Sequence, residues 1–314
     1  MTRESKILNA GIVLLIAACA VLTFARGLDF PLLDVMRQVL IVAALGGALY
    51  YYGRVRKEEK FVICLSALIQ LVAFTTAFTS LTYIVATFSA PLIDGHLATA
   101  DAALGFHLPS VVAWAKAHPA IDTMLRLAYM TLFVQTALVV IVLGFRCDRR
   151  SLQAFLLRLM IAAIIMLVIF GVAPAEGPFS AYGLDPDDSQ QRYLDHFHAL
   201  RSGERTNVSY VEAEGLITFP SFHTTWALLL ALAFSHRRRL FVPFAVFNSL
   251  IVLSTLTTGW HFLSDVMAGS ALAAIGVVVT SWIQGRETKG VSSRLAMIRL
   301  GLDGLRARLV RNRT

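Results

Sequence analysis

The feature that most constrains this chain is its series of apolar stretches long enough to cross a bilayer. A helix needs about 20 apolar residues to span the hydrocarbon core. The sequence offers eight such stretches: 7–25, 35–53, 61–89, 122–145, 153–174, 219–235, 240–258 and 262–283. Lipid offers no partner for a free N–H or C=O, so each stretch must close its own backbone hydrogen bonds as a helix. The expected fold is therefore all-α, a polytopic transmembrane helix bundle of about eight spans. Composition agrees: 57% of the 314 residues are hydrophobic and 15% charged, which excludes an ordinary soluble enzyme and a disordered chain. The first stretch follows a basic start and could be cleaved as a signal peptide. With seven further spans committing the chain to the membrane, it is read as an uncleaved span.

Charge sets the expected orientation. Taken alternately, one set of connections holds Arg3 and Lys6, then Arg54, Arg56, Lys57 and Lys60, then Arg146, Arg149 and Arg150, then Arg237–Arg239. The other set is poor in bases: 90–121 has Lys116 and no Arg, and 175–218 sets Arg192, Arg201 and Arg205 against eight acids. Basic loops stay in the cytoplasm. Both termini are expected there, with the acidic connections outside. The net charge of +8 is then a topology signal and calls for no nucleic-acid partner.

Four regions follow. Residues 1–89 form three N-terminal spans, and 90–121 an outer segment with an interfacial helix around Leu108, Val111, Val112 and Trp114. Residues 122–284 form a membrane core carrying a long outer loop, 175–218, of the size that is usually functional or mobile. Residues 285–314 place Leu295, Ile298, Leu302, Leu305 and Leu309 at helical spacing among arginines. This is the pattern of a basic amphipathic helix on the inner leaflet. Contact between two copies of that tail, giving a homo-oligomer, is the alternative. Cys19, Cys64 and Cys147 have no metal-ligand spacing, and His196 and His198 read as an exposed loop pair.

The chemistry concentrates at the outer starts of two spans. Thr218-Phe219-Pro220-Ser221-Phe222-His223 opens one, and Gly259-Trp260-His261-Phe262-Leu263-Ser264-Asp265 opens the other. Both spans run inward, so the two histidines fall at one depth. Ser221 or Thr218 can cap a helix start whose free amides suit a phosphate oxyanion. His261 and Asp265 are four apart, so on a helix the carboxylate can orient the imidazole as a nucleophile. An ionisable group inside a span is costly and marks function by default.

Pro220-Ser221-Phe222-His223 resembles the Pro-Ser-x-His motif of the type-2 phosphatidic acid phosphatase and haloperoxidase superfamily, and His261-x-x-x-Asp265 its terminal His-x-x-x-Asp motif. The resemblance covers about 122–284 and implies a six-helix core of the phosphatase type. It also implies a metal-independent, cofactor-free phosphoryl transfer on a membrane lipid phosphate or phosphodiester. His261 would attack phosphorus, Asp265 would orient it, and His223 would protonate the leaving oxygen. The departures matter. Ser254-Thr255 stand where the family's phosphatases have Ser-Arg, and 172–179 lacks the bases of the family's upstream motif. In this the chain looks more like the inositol phosphorylceramide and sphingomyelin synthase branch, which transfers headgroups to a hydroxyl. Replacement cations are then sought in Arg126, Arg192, Arg201 and Arg205. Candidate hydroxyl donors to substrate are Ser221, Thr224, Thr258, Tyr129 and Tyr182. A lipid phosphate phosphatase, transferring to water, is the alternative, and a non-enzymatic transporter or assembly factor the second one.

Overall fold

The computed structural model describes residues 2–285. The expectation of a basic amphipathic tail, and of a contact between copies through it, lies outside the described residues. Within them the regular structure is helical, with one isolated bridge pairing Asp29 and Asn207 and no strand.

Helix α1 (Arg3–Arg26) starts at Thr2, whose side chain accepts from the Ser5 amide, and ends at Gly27 in the left-handed conformation (φ 63°). Helix α2 (Leu32–Tyr50) runs on through a π-helical turn at Tyr51–Val55, and α3 (Glu59–Ala86) returns. Two short helices follow, α4 (Asp94–Ala103) and α5 (Leu108–Lys116), where the sequence suggests one interfacial helix. The stretch 122–145 is not one straight span. It is α6 (Pro119–Tyr129) and α7 (Leu132–Phe145), bent by 46° between them. Helix α8 (Arg149–Val172) is capped by Asp148. The long connection after α8 holds α9 (Pro178–Ala181) and α10 (Asp188–Ser202), then α11 (Phe222–Leu232), α12 (Arg238–Thr257) and α13 (Leu263–Gly285) complete the bundle.

Six of these helices are long and apolar enough to cross a membrane, seven if α6 and α7 count as one bent span. This is an integral-membrane bundle. The remaining expected span, 219–235, is α11 alone. At 1.5 Å per residue its length is roughly 16 Å, about half the hydrocarbon thickness. It is short because residues 218–221 are spent on a turn, with a cis Phe219–Pro220 bond, and the helix stops at Ala233.

Helices α3 and α8 occupy the centre. Helix α3 touches α1, α2, α7, α8 and α10, so the first three spans pack against the bundle, although in α2 Asp34 alone is buried among the described residues. Amide side chains stitch the apolar interior. Gln153 donates to Gln70 (2.8 Å) and Gln70 to Asn9 (2.7 Å), tying α8, α3 and α1; Asn248 donates to Gln135 (2.7 Å), tying α12 to α7. Such bonds average about 0.6 kcal/mol each in a membrane bundle, so they fix register more than they add stability.

Two glycines on one face of α13 set how closely it approaches its neighbours. A Cβ on Gly269 would overlap the Ser221 carbonyl, and one on Gly276 would press on the Arg158 carbonyl of α8. Glycine is what lets the start of α11 lie against α13 here. The same contact carries two hydrogen bonds: the Ser221 amide donates to the Asp265 carbonyl (3.1 Å), and the Thr225 hydroxyl to the Gly269 carbonyl (2.8 Å).

Candidate active site

Helix α11 begins at Ser221, whose hydroxyl accepts from the Thr224 amide (3.2 Å). That cap leaves the amides of Phe222 and His223 in the first turn without an intrahelical acceptor. Thr218, the other candidate cap, instead donates to the Ala175 carbonyl (2.5 Å). His223 projects from this first turn. On the other side of the contact His261 lies in the bend just before α13, not on the helix itself. The pairing expected from four-residue spacing still forms, with His261 Nδ1 3.3 Å from Asp265 Oδ2. The same oxygen accepts from the Phe262 amide (2.8 Å). His261 and Asp265 are buried, and the rings of His223 and His261 lie 6.0 Å apart. The carboxylate takes Nδ1 of His261, leaving Nε2 as the other ring nitrogen, and the imidazole also has the Thr218 backbone as a hydrogen-bond neighbour.

Tyr129 closes the site from α6. Its hydroxyl is hydrogen-bonded to His223 Nε2 (2.8 Å), and its ring stacks on the imidazole at 4.4 Å. Among the described residues three buried polar atoms here find no partner: Nδ1 of His223, Oγ1 of Thr224 and Oδ1 of Asp265. Buried polar groups are normally bonded, so this is where a ligand has bonds to make. Phe78 of α3 packs on Phe222 (5.2 Å), which brings the N-terminal spans up to the site.

The remaining candidates are distributed. Thr258 turns its hydroxyl back to the Ser254 carbonyl (2.7 Å), and Tyr182 stands behind the site, its ring 6.0 Å from that of Phe262. The hydroxyls of Ser254 and Thr255, at the position of the missing arginine, bond to the Ile251 and Val252 carbonyls. Arg126 is one turn before Tyr129 on α6 and pairs with Asp122 (2.9 Å) and Asp187 (3.2 Å). It lines a cavity of about 260 Å³ of mixed polar and apolar lining, with Lys116, Asp187, Gln190 and the Thr258–Gly259 turn that leads to His261. The three loop arginines are engaged away from the histidines. Arg192 pairs with Glu214 (2.9 Å), Arg205 with Glu212 (3.2 Å), and Arg201 donates to the Ala90 carbonyl (2.8 Å). Among the described residues no three His, Cys, Asp or Glu side chains converge as a metal site.

The loop 175–218 is a docked structure. A capping box at Asp187 and Gln190 starts α10, whose Tyr193 and Phe197 are fully buried. Tyr193 and Phe179 pack edge-on against Trp260, the neighbour of His261, at 5.6 and 5.4 Å. His196, expected to be exposed, is buried against α3. The Glu214 amide donates to the Tyr83 hydroxyl (2.8 Å), which leaves that hydroxyl to donate to His196 Nδ1 (2.9 Å). Burial, with Arg205 nearby, holds the His196 imidazole below its ordinary pKa.

Sequence reasoning missed α4. Asp101 is completely buried and accepts from the amides of Leu263 (2.7 Å) and Ser264 (2.9 Å) and from the Ser264 hydroxyl (2.5 Å). Asp94, seven residues earlier, accepts from the amides of Glu176 (3.0 Å) and Gly177 (2.8 Å); burial raises its carboxyl above the usual range despite those bonds. Two aspartates on a polar outer helix look like solvated charges, and only the fold reveals the amides that they meet.

The comparison with curated proteins finds no match to this chain, and neither does the comparison with solved structures. The family model of the PAP2 superfamily matches residues 95–279, well over half of the chain. The match begins inside α4, earlier than the start near 122 suggested by the motifs, and so takes in the helix that supplies Asp101. With the histidines and Asp265 inside that stretch, the chain belongs to the PAP2 superfamily.

Proposed function

We propose that this membrane protein is a lipid phosphotransferase that works through a phosphohistidine, moving a phosphorylated headgroup from a lipid to a hydroxyl acceptor. The observation that carries the reading is the facing pair of buried imidazoles, 6.0 Å apart, with Asp265 on Nδ1 of one and Tyr129 on Nε2 of the other. Nε2 of His261 attacks phosphorus as the bond to the leaving oxygen breaks, and His223 delivers a proton to that oxygen. The acceptor hydroxyl then gives its proton to His223 and attacks phosphorus, and the P–N bond breaks. Asp265 holds the attacking tautomer and stabilises the charge that develops on the imidazole. The free first-turn amides of α11 suit the phosphoryl oxygens.

Transfer to an alcohol is favoured over hydrolysis of a monoester by the weak positive charge. A phosphate dianion demands more fixed cations than a phosphodiester monoanion. Here Arg126, one turn before Tyr129, is already shared between two carboxylates. This supports reading the chain as similar to the inositol phosphorylceramide and sphingomyelin synthase branch. The site is assigned to the outer face and both termini to the cytoplasm, on the charge asymmetry of the connections.

The test is to incubate the purified chain with a panel of lipid phosphates and phosphodiesters, with and without polyol and lipid alcohols, and to follow products by mass spectrometry. Headgroup transfer that survives EDTA and is lost in His261→Ala and His223→Ala is expected. Free phosphate as the sole product makes the protein a phosphatase. Near-normal turnover by His261→Ala, or a divalent-ion requirement, overturns the mechanism.

A further inference from the structure

We propose that Asp101 is a positioning residue for the His261–Asp265 pair, a role that rests on the phosphoryl-transfer reading above. Helix α13 lacks a local cap: Phe262, just ahead of it, has no side-chain acceptor, whereas helix starts are normally capped by Ser, Thr, Asp or Asn at that place. The cap is imported from α4, 162 residues earlier in the chain. Asp101 takes both the Leu263 and Ser264 amides and the Ser264 hydroxyl, while Asp265 takes the Phe262 amide. Three consecutive amides are thus divided between two carboxylates.

The division has a chemical consequence. Asp265 sits in the first turn of α13, where uncapped amides are the donors closest to its side chain. Without Asp101, the Leu263 and Ser264 amides would compete with His261 Nδ1 for the Asp265 carboxylate. With Asp101 in place they are spoken for, and Asp265 Oδ2 stays on the imidazole. Asp101 also removes the α13 N-terminus as an anion site, which leaves the α11 amides as the phosphate cradle. Asp94 anchors the other end of α4 to the Glu176 and Gly177 amides, so the helix acts as a strut between the outer loop and α13.

A role in aligning the nucleophile should appear in binding of a transition-state mimic and not in ground-state binding. The probes are orthovanadate, which takes up the five-coordinate geometry of phosphoryl transfer, and inorganic phosphate. Both are titrated into the detergent-solubilised full chain as wild type, Asp101→Asn, Ser264→Ala and His261→Ala. Wild type should bind vanadate more tightly than phosphate, and His261→Ala should lose that preference. Asp101→Asn should weaken vanadate roughly tenfold or more while phosphate stays within about twofold. Ser264→Ala, which removes one of the three bonds, should give a smaller loss of the same kind and serves if Asp101→Asn fails to fold. Unchanged vanadate affinity in the folded Asp101→Asn chain, or in Ser264→Ala where only that variant folds, overturns the positioning role, as does an equal loss of both ions. If His261→Ala keeps the vanadate preference, or wild type binds neither ion, the phosphoryl-transfer reading itself falls, and the positioning role with it.

Discussion

At the scale of single residues, the site is a set of polar atoms whose partners are dictated by burial. Tyr129 is the clearest case: among the described residues its hydroxyl bonds to His223 alone, and its ring stacks on that imidazole. Tyr129→Phe keeps the stack and removes one hydrogen bond. It should lower kcat/KM roughly tenfold, equivalent to about 1.4 kcal/mol, with thermal stability nearly unchanged. His196 gives a pH prediction. Its folded pKa lies below the ordinary value, so the unfolded chain takes up the proton first as pH falls. The stability lent by the neutral Tyr83–His196 pair is complete above about pH 6.5 and is lost as pH falls through the folded value. Thermal unfolding in detergent from pH 8 to pH 5 should show a steeper decline for wild type than for His196→Gln; parallel curves would rule the pair out as a source.

At the scale of elements, function depends on how closely two helix starts approach. Gly269→Ala puts a methyl group into the Ser221 backbone, and neither chain segment can yield as a flexible side chain would. Overpacking costs typically 1–3 kcal/mol. Because the strain falls between the two histidines, activity should drop more than tenfold, with only a few degrees lost in Tm. Retained activity would mean that the α11–α13 contact is slack. The cations can be sorted the same way. Arg126→Gln frees Asp122 and Asp187 beside the cavity and should lose at least roughly tenfold in kcat/KM. Arg192→Gln, Arg201→Gln and Arg205→Gln should each stay within about twofold, since their partners are Glu214, the Ala90 carbonyl and Glu212. A tenfold loss at any loop arginine would show that the loop turns inward during turnover.

At the scale of the whole molecule, the N-terminal spans and the family core form one body. Asp34 at the start of α2 accepts from the Ser209 hydroxyl (2.6 Å) and the Tyr210 amide (2.9 Å), and Tyr210 reaches Ser80 of α3 (2.7 Å). The connection 175–218 is thereby clasped on one side by α1–α3 and on the other by Trp260. Its side of the membrane is open to a direct test. In a background without native cysteines, Ser189→Cys should react with an impermeant thiol reagent on intact cells, and Ser235→Cys only after permeabilisation. The reverse pattern would turn the protein over and put the site in the cytoplasm.

What the sequence determined by itself was whatever repeats over a long window or sits within one turn. Apolar length sufficed for an all-α membrane bundle, because lipid forces each such stretch to satisfy its own backbone. Ser221 capped its helix and Asp265 met His261 because partners three or four residues apart are within reach in almost any fold. The bend after Tyr129 was not legible, and the shortness of α11 showed only in 219–235 being the shortest apolar stretch, since hydropathy counts apolar residues and is blind to a turn placed among them. Nor were the long-range partners. Tyr129 lies 94 residues from His223, and Asp101 162 residues from Leu263. Nothing in their local sequence distinguishes them from an interfacial tyrosine and a solvated acid. Only tertiary packing brings a buried donor to a buried acceptor across such distances, and the cost of leaving either unpaired is what holds them together.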